Sequence, residues 1–96
     1  MDRTELQPYL SLMESFQSGT ITAPRFEVRY LALFKADQRR FPDNIYEVMN
    51  ELFYHVDAYV SDDNLRKPGD LDGGQLLTRC KIAYDLLIEL APAPPA

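Results

Sequence analysis

Apolar residues recur three or four positions apart along most of the chain, which is the spacing of one helix face. In the first such segment the apolar positions are Leu6, Tyr9, Leu10, Met13 and Phe16. Gly19 follows them, and glycine readily adopts the left-handed conformation that ends many helices. The pattern therefore predicts a first helix that begins near Pro8 and ends at Gly19.

A second helix is predicted to start at Thr22, because threonine is a good N-cap and Pro24 is tolerated in a first turn. Its apolar face is Phe26, Tyr30, Leu33 and Phe34. Pro42 prevents continuation. We expect the basic residues Lys35, Arg39 and Arg40 to lie near the end of this helix, where cations complement the helix dipole.

The third segment has the clearest helical pattern. It starts at Asp43 or Asn44, and Asn44 with Glu47 resembles a capping box. Its apolar positions are Ile45, Val48, Met49, Leu52, Phe53 and Val56. We expect this helix to end near Tyr59 or Val60.

Residues 61–72 are mostly polar and contain the turn signal Pro68-Gly69, so they are predicted to form a loop. A loop of this length is long for a helix–helix connection, and such loops are often functional. Asp72 with Gln75 is suited to cap a fourth helix. The apolar face of that helix is Leu76, Leu77, Cys80, Tyr84, Leu87 and Ile88.

No alternating β-pattern competes with these four segments. Amphipathic helices joined mostly by short connections predict an all-α fold, an antiparallel four-helix bundle in a single domain over residues 1–91. Residues 92–96 are rich in proline, and we expect them to form a disordered tail.

Charge then limits the possible partners. The chain has 96 residues, with 15 acids and 10 bases, for a formal net charge of −5. An acidic chain repels a phosphate backbone, so direct nucleic-acid binding is not expected, and a basic protein is the better partner. No apolar run is long enough to span a membrane and no secretory signal is visible, so we expect a cytoplasmic protein.

The negative charge is concentrated between residues 41 and 72, which contain eight acids and two bases. Such a run is most often an ordinary solvated surface, and a binding surface is the alternative. Tyr46 and Tyr54 lie off the main apolar face of the third helix. They could be exposed interface anchors or could cover the edges of the core.

Candidates for catalysis are few. Glu51 and His55 are four residues apart and share a helix face, but no second histidine or cysteine pair completes a zinc site. Cys80 lies on an apolar face, which favours a buried structural thiol over a nucleophile. The residues therefore predict neither an enzyme nor a bound cofactor or metal.

Two short motifs resemble those of a known family. Gly19-Thr20-Ile21-Thr22-Ala23 precedes Phe26, and Glu51-Leu52-Phe53 precedes Asp57, Tyr59 and Asp62. In order and spacing, from about Tyr9 to Leu90, the chain resembles immunity proteins of the colicin D type, including relatives encoded beside contact-dependent growth-inhibition toxins.

The resemblance implies a small four-helix protein that binds the C-terminal nuclease domain of a cognate toxin, a tRNA-cleaving ribonuclease, and covers its basic cleft with carboxylates. Asp57 stands where the family has a functional glutamate, one methylene longer, and Asp62 matches a functional aspartate. The basic stretch Arg66-Lys67 departs from the family pattern and suggests a different toxin. The expected partner-binding residues are Asp57, Asp62 and Asp63, with Tyr59, Asp70 and Asp72 as further candidates.

Overall fold

Four α-helices make up most of residues 1–94, the part of the chain that the computed structural model describes. They are α1 (Gln7–Gln17), α2 (Ala23–Ala36), α3 (Asp43–Asp57) and α4 (Gly73–Leu90). Within this part of the chain the only β-pairing is one isolated bridge between Tyr59 and Leu71. The predicted all-α fold is confirmed, and the helices enclose one hydrophobic core.

The start of α2 and the end of α1 follow the predicted signals. Gly19 has a φ of +80°, and the amides of Gly19 and Thr20 donate to the carbonyls of Phe16 and Ser15 at 3.2 and 2.9 Å. This hydrogen-bond pair is a Schellman motif, which satisfies the last carbonyls of α1. The Thr22 side chain accepts a hydrogen bond from the Arg25 amide, as an N-cap should.

The predicted end of α2 was wrong for Arg39 and Arg40, which lie beyond the helix, whereas Lys35 is in its last turn. The chain leaves the helix at Asp37, whose backbone is extended. Asp37 accepts a 2.8 Å hydrogen bond from the Tyr9 hydroxyl and forms an ion pair with Arg39 at the same distance. The contacts of Asp37 with Tyr9 and Arg39 hold the connection between α2 and α3 against α1. α2 therefore ends before Asp37.

α3 starts at Asp43, one of the two predicted positions, but its cap and its end differ from the prediction. Asn44 is not the cap, because the N-cap is Pro42. The Asn44 side chain instead accepts a hydrogen bond from the adjacent Ile45 amide at 2.8 Å. The helix ends at Asp57 rather than at Tyr59 or Val60, because those two residues pair with Leu71.

Tyrosines and phenylalanines fill much of the core. Tyr30 is fully buried, and its hydroxyl donates a 2.7 Å hydrogen bond to the Met49 carbonyl. Burial therefore raises the pKa of Tyr30 well above its ordinary value. Tyr9 is also buried, and burial together with its hydrogen bond to Asp37 raises its pKa. Both tyrosine hydroxyls thus have hydrogen-bond partners, while the rings pack in the hydrophobic core.

Arg3 fixes the beginning of the chain against the end of α4. Its guanidinium donates to the carbonyls of Ile88 and Ala91 at 2.7 and 3.1 Å. The Arg3 amide donates to the carbonyl of Pro92 at 3.1 Å. α4 contacts each of the other three helices. The antiparallel order and the disordered tail stay predictions, and Pro95 and Ala96 lie outside the described residues.

Candidate partner-binding surface

Asp57 is the last residue of α3, and its side chain is exposed. The C-terminus of a helix carries partial negative charge, so a carboxylate there is unfavourable for the helix. None of the ion pairs formed within residues 1–94 includes Asp57. The fold therefore gives this exposed carboxylate no ion-pair partner among the described residues.

α2 packs against α3, and Glu27 on α2 is affected by the charge of Asp57. Burial, and after it the negative charge of Asp57, raises the pKa of Glu27. The charge of Glu27 also contributes, after burial, to the raised pKa of Tyr59. The sequence prediction missed Glu27, because it lies in a segment with five bases and two acids, residues 22–40, far from the acidic run.

Backbone hydrogen bonds close the predicted loop into a defined structure. The Leu71 amide donates to the Ala58 carbonyl at 2.9 Å, and the Val60 amide donates to the Leu71 carbonyl at 3.0 Å. The two ends of the loop formed by residues 60–70 are therefore held together at its base. Tyr59, a predicted partner-binding residue, is only 7% exposed and belongs to the core at the base of this loop.

Arg66 is directed into the loop. Its Nε and Nη2 atoms donate to the Val60 carbonyl at 3.1 and 2.8 Å. Its Nη1 atom forms an ion pair with Asp63 Oδ1 at 2.6 Å. The positive charge of Arg66 thus has a structural role, and it partly neutralises Asp63, whose side chain is 88% exposed.

The remaining predicted acids, Asp62, Asp70 and Asp72, differ in the hydrogen bonds that their side chains accept. Asp70 Oδ2 accepts from the Lys67 amide at 2.9 Å, and Asp72 caps α4 in the predicted capping box with Gln75. Asp62 is exposed and accepts one hydrogen bond, from the Asn64 amide at 2.9 Å. Asp70 and Asp72 therefore fix local structure, while Asp57 and Asp62 present the least engaged carboxylates of the predicted set.

Tyr46 and Tyr54 are exposed, and each ring also lies against an aromatic residue that packs on the core. Their side chains are 47% and 64% exposed. Both rings contact other aromatic rings on the surface of α2 and α3: Tyr46 contacts Phe34, and Tyr54 contacts Phe53. Exposed tyrosines beside partly buried rings are favoured anchors in protein interfaces.

The residues considered as candidates for catalysis or metal binding are His55, Glu51 and Cys80. His55 Nε2 lies 3.7 Å from Glu51 Oε1, as their spacing predicted. Residues 1–94 bring no group of three or more histidine, cysteine or acidic side chains together that could hold a metal ion. Cys80 is fully buried, as predicted, and burial raises its pKa to about 12. A thiol with such a pKa is a poor nucleophile at neutral pH.

A shallow groove between α3 and α4 is the other notable surface. It is lined by apolar side chains, including Val48, Ile82 and Leu86, with His55 and Arg79 among the polar ones. Leu90 continues the exposed apolar row of α4. None of the described helices has the length and hydrophobicity of a membrane span.

The described residues thus combine a helical fold with exposed carboxylates at Asp57 and Asp62. A family model described as bacterial self-protective colicin-like immunity matches residues 5–87. The chain belongs to this family, which confirms the resemblance seen in its motifs. No curated protein matches the chain significantly. Membership of the family makes the chain a toxin-neutralising immunity protein, and thus an inhibitor rather than an enzyme.

Proposed function

We propose that this immunity protein binds the C-terminal nuclease domain of a cognate toxin, a tRNA-cleaving ribonuclease, and covers its basic active-site cleft. Asp57 and Asp62 provide the main contacts, with Asp63 beside them. The complex forms in the cytoplasm, where the substrate of such a toxin would be. No cofactor or nucleic acid takes part in the binding.

The observation that carries this proposal is the exposed carboxylate of Asp57 at the C-terminal end of α3, where the helix dipole disfavours it. Its charge also acts on Glu27 of α2, and like charges near each other destabilise the free protein. They become favourable when a cationic group of a partner lies against them and water is excluded. An RNA-binding cleft has such groups, since it must bind phosphates.

The test of the proposed function uses the toxin gene expected beside this one. The C-terminal domain of its product is expressed in cells with and without this chain. We expect the domain to stop growth, the chain to restore growth, and the two proteins to purify as a stable complex. Toxicity that this chain does not relieve would contradict the proposal.

The site is tested with the double variant Asp57→Asn/Asp62→Asn. Both side chains are exposed, so the fold should be retained. We expect at least a tenfold loss of affinity and a weaker dependence of affinity on salt. The matched control is Asp85→Asn, which removes an exposed carboxylate from α4. A double variant that binds like the wild type would show that the interface lies elsewhere.

A second candidate function is a helical adaptor or self-associating module. The exposed apolar residues of α4 favour it, since Ile82, Leu86 and Leu90 form a row along that helix. Sedimentation at several salt concentrations separates the two functions. An apolar self-association persists at high salt, while a complex steered by acids weakens.

A further inference from the structure

Four aromatic side chains form a continuous surface on α2 and α3, which we call the aromatic ridge: Phe34, Tyr46, Phe53 and Tyr54. The Phe34 ring lies 6.2 Å from Tyr46 and 5.6 Å from Phe53, between ring centroids. The ring of Tyr54 meets that of Phe53 edge to face at 5.9 Å. The ridge thus runs from the start of α3 towards its end.

The ridge ends beside the acidic residues. Tyr54 and Asp57 are three positions apart in α3, so their Cβ atoms are about 5–6 Å apart on the same helix face. The charge of Asp57 also reaches Glu27 on the neighbouring helix, where it adds to burial in raising the pKa of Glu27. An aromatic surface with carboxylates at one end is complementary to a side chain that is both long and cationic.

One cationic side chain of the protein already lies over a ring of the aromatic ridge. The Lys35 ammonium lies 5.8 Å from the centroid of the Phe53 ring, in a cation–π contact. The only other such contact among residues 1–94 joins Arg39 and Phe41, so no cation of the described chain lies over Tyr54. The Tyr54 ring is therefore available to a cation from outside.

We propose that the aromatic ridge is the apolar part of the toxin interface, and that Tyr54 receives an arginine or lysine side chain of the toxin whose charge pairs with Asp57. This inference rests on the proposed function. An arginine suits the arrangement best, because its planar guanidinium stacks on an aromatic ring while its N–H groups bind a carboxylate. Charge complementarity selects the partner: the acidic end of the ridge favours a basic protein over a second acidic copy of this chain.

The experiment measures binding of the purified toxin domain to the wild-type chain and to single variants. We expect Tyr54→Ala to raise the Kd by about tenfold to a hundredfold, as loss of an interface anchor does. Tyr54→Phe keeps the ring and should bind nearly as the wild type does. Ile82→Ala is the control, because Ile82 is also exposed, at 48%, but lies on α4.

Combining Tyr54→Ala with Asp57→Asn tests whether one toxin side chain contacts both residues. If it does, the double variant loses less affinity than the product of the two single losses. Multiplicative losses, or a Tyr54→Ala variant that binds like the wild type, would overturn the inference and leave the proposed function standing. A wild-type chain that binds no toxin domain would overturn both.

Discussion

Glu27 and Asp57 belong to different helices, yet their carboxylates lie close enough that the charge of Asp57 helps burial to raise the pKa of Glu27. A raised pKa in the folded state means that the ionised carboxylate opposes folding at neutral pH. Natural proteins retain such pairs where the same charges serve binding. The pair therefore predicts opposite effects on stability and on affinity.

Glu27→Gln should raise the free energy of unfolding by about 0.5 kcal/mol at neutral pH, because it removes a negative charge that burial and, after it, the charge of Asp57 both disfavour. The gain should shrink as the pH falls towards about 4, where Glu27 becomes protonated in both the folded and unfolded states. Urea unfolding at several pH values measures it. The same variant should bind the toxin more weakly. Glu89→Gln on α4 is the control, and an equal gain in both variants would contradict the prediction.

The connection between α2 and α3 should make the protein sensitive to acid. The hydrogen bond from Arg39, opposed by burial and aided by that from Tyr9, holds the pKa of Asp37 well below its usual range. A depressed pKa stabilises the fold above the unfolded-state pKa, and this contribution is lost as the pH falls below about 4.

Asp37→Asn should therefore lower the free energy of unfolding by about 1.5–3 kcal/mol at pH 7, the usual contribution of a hydrogen bond to a charged group. The difference from the wild type should narrow as the pH is lowered below about 4. Denaturant titrations at neutral and acidic pH measure both effects. Asp85→Asn is the control, and a difference that stays constant with pH would refute this role of Asp37.

Arg66 should be required for the order of the loop rather than for the stability of the core. Arg66→Ala removes two hydrogen bonds to the Val60 carbonyl and the ion pair with Asp63. We expect faster hydrogen exchange at the amides of Leu65 and Arg66, with a loss of global stability of about 1 kcal/mol. Arg66→Lys should not restore protection, because an ammonium lacks the planar fork of donors. Unchanged exchange in Arg66→Ala would show that the backbone alone orders the loop.

Gly19 should be sensitive to substitution for backbone reasons alone. Its φ is +80°, while nothing lies within 4 Å of the position that an added Cβ would occupy. Gly19→Ala should therefore lower the free energy of unfolding by about 1–2 kcal/mol, the cost of a left-handed conformation for a residue with a side chain. Gly19→Asn should be milder, since asparagine tolerates this conformation, and thermal denaturation ranks the variants. Equal stability of all three proteins would exclude backbone strain.

Most of the fold was predictable because the apolar spacing of each helix and its capping interactions involve only residues that are close in sequence. Thr22, Gly19 and the Asp72–Gln75 capping box act within one turn, so the sequence contains both partners. The error at Asn44 was local, because its side chain bonds the adjacent Ile45 amide. The error at Arg39 arose where a tertiary contact decided the local structure. Asp37 turns away from α2 to meet Tyr9, a residue of another helix.

The candidate surface was only partly predictable for the same reason. The acidic run in residues 41–72 was visible, and so was the cap formed by Asp72, but the sequence did not show that Asp70 turns the backbone while Asp57 stays exposed. Glu27 was missed because its proximity to Asp57 depends on how α2 packs against α3.

The closure of residues 60–70 bears on how this protein could change its partner over evolution. The bonds at the base of the loop join backbone atoms of Ala58, Val60 and Leu71, so they do not depend on which side chains the loop carries. Substitutions at positions such as Asp62 can therefore accumulate without loosening the helices beneath. The loop side chains of such an immunity protein can therefore change as its toxin changes, while the core residues are constrained only by helix packing.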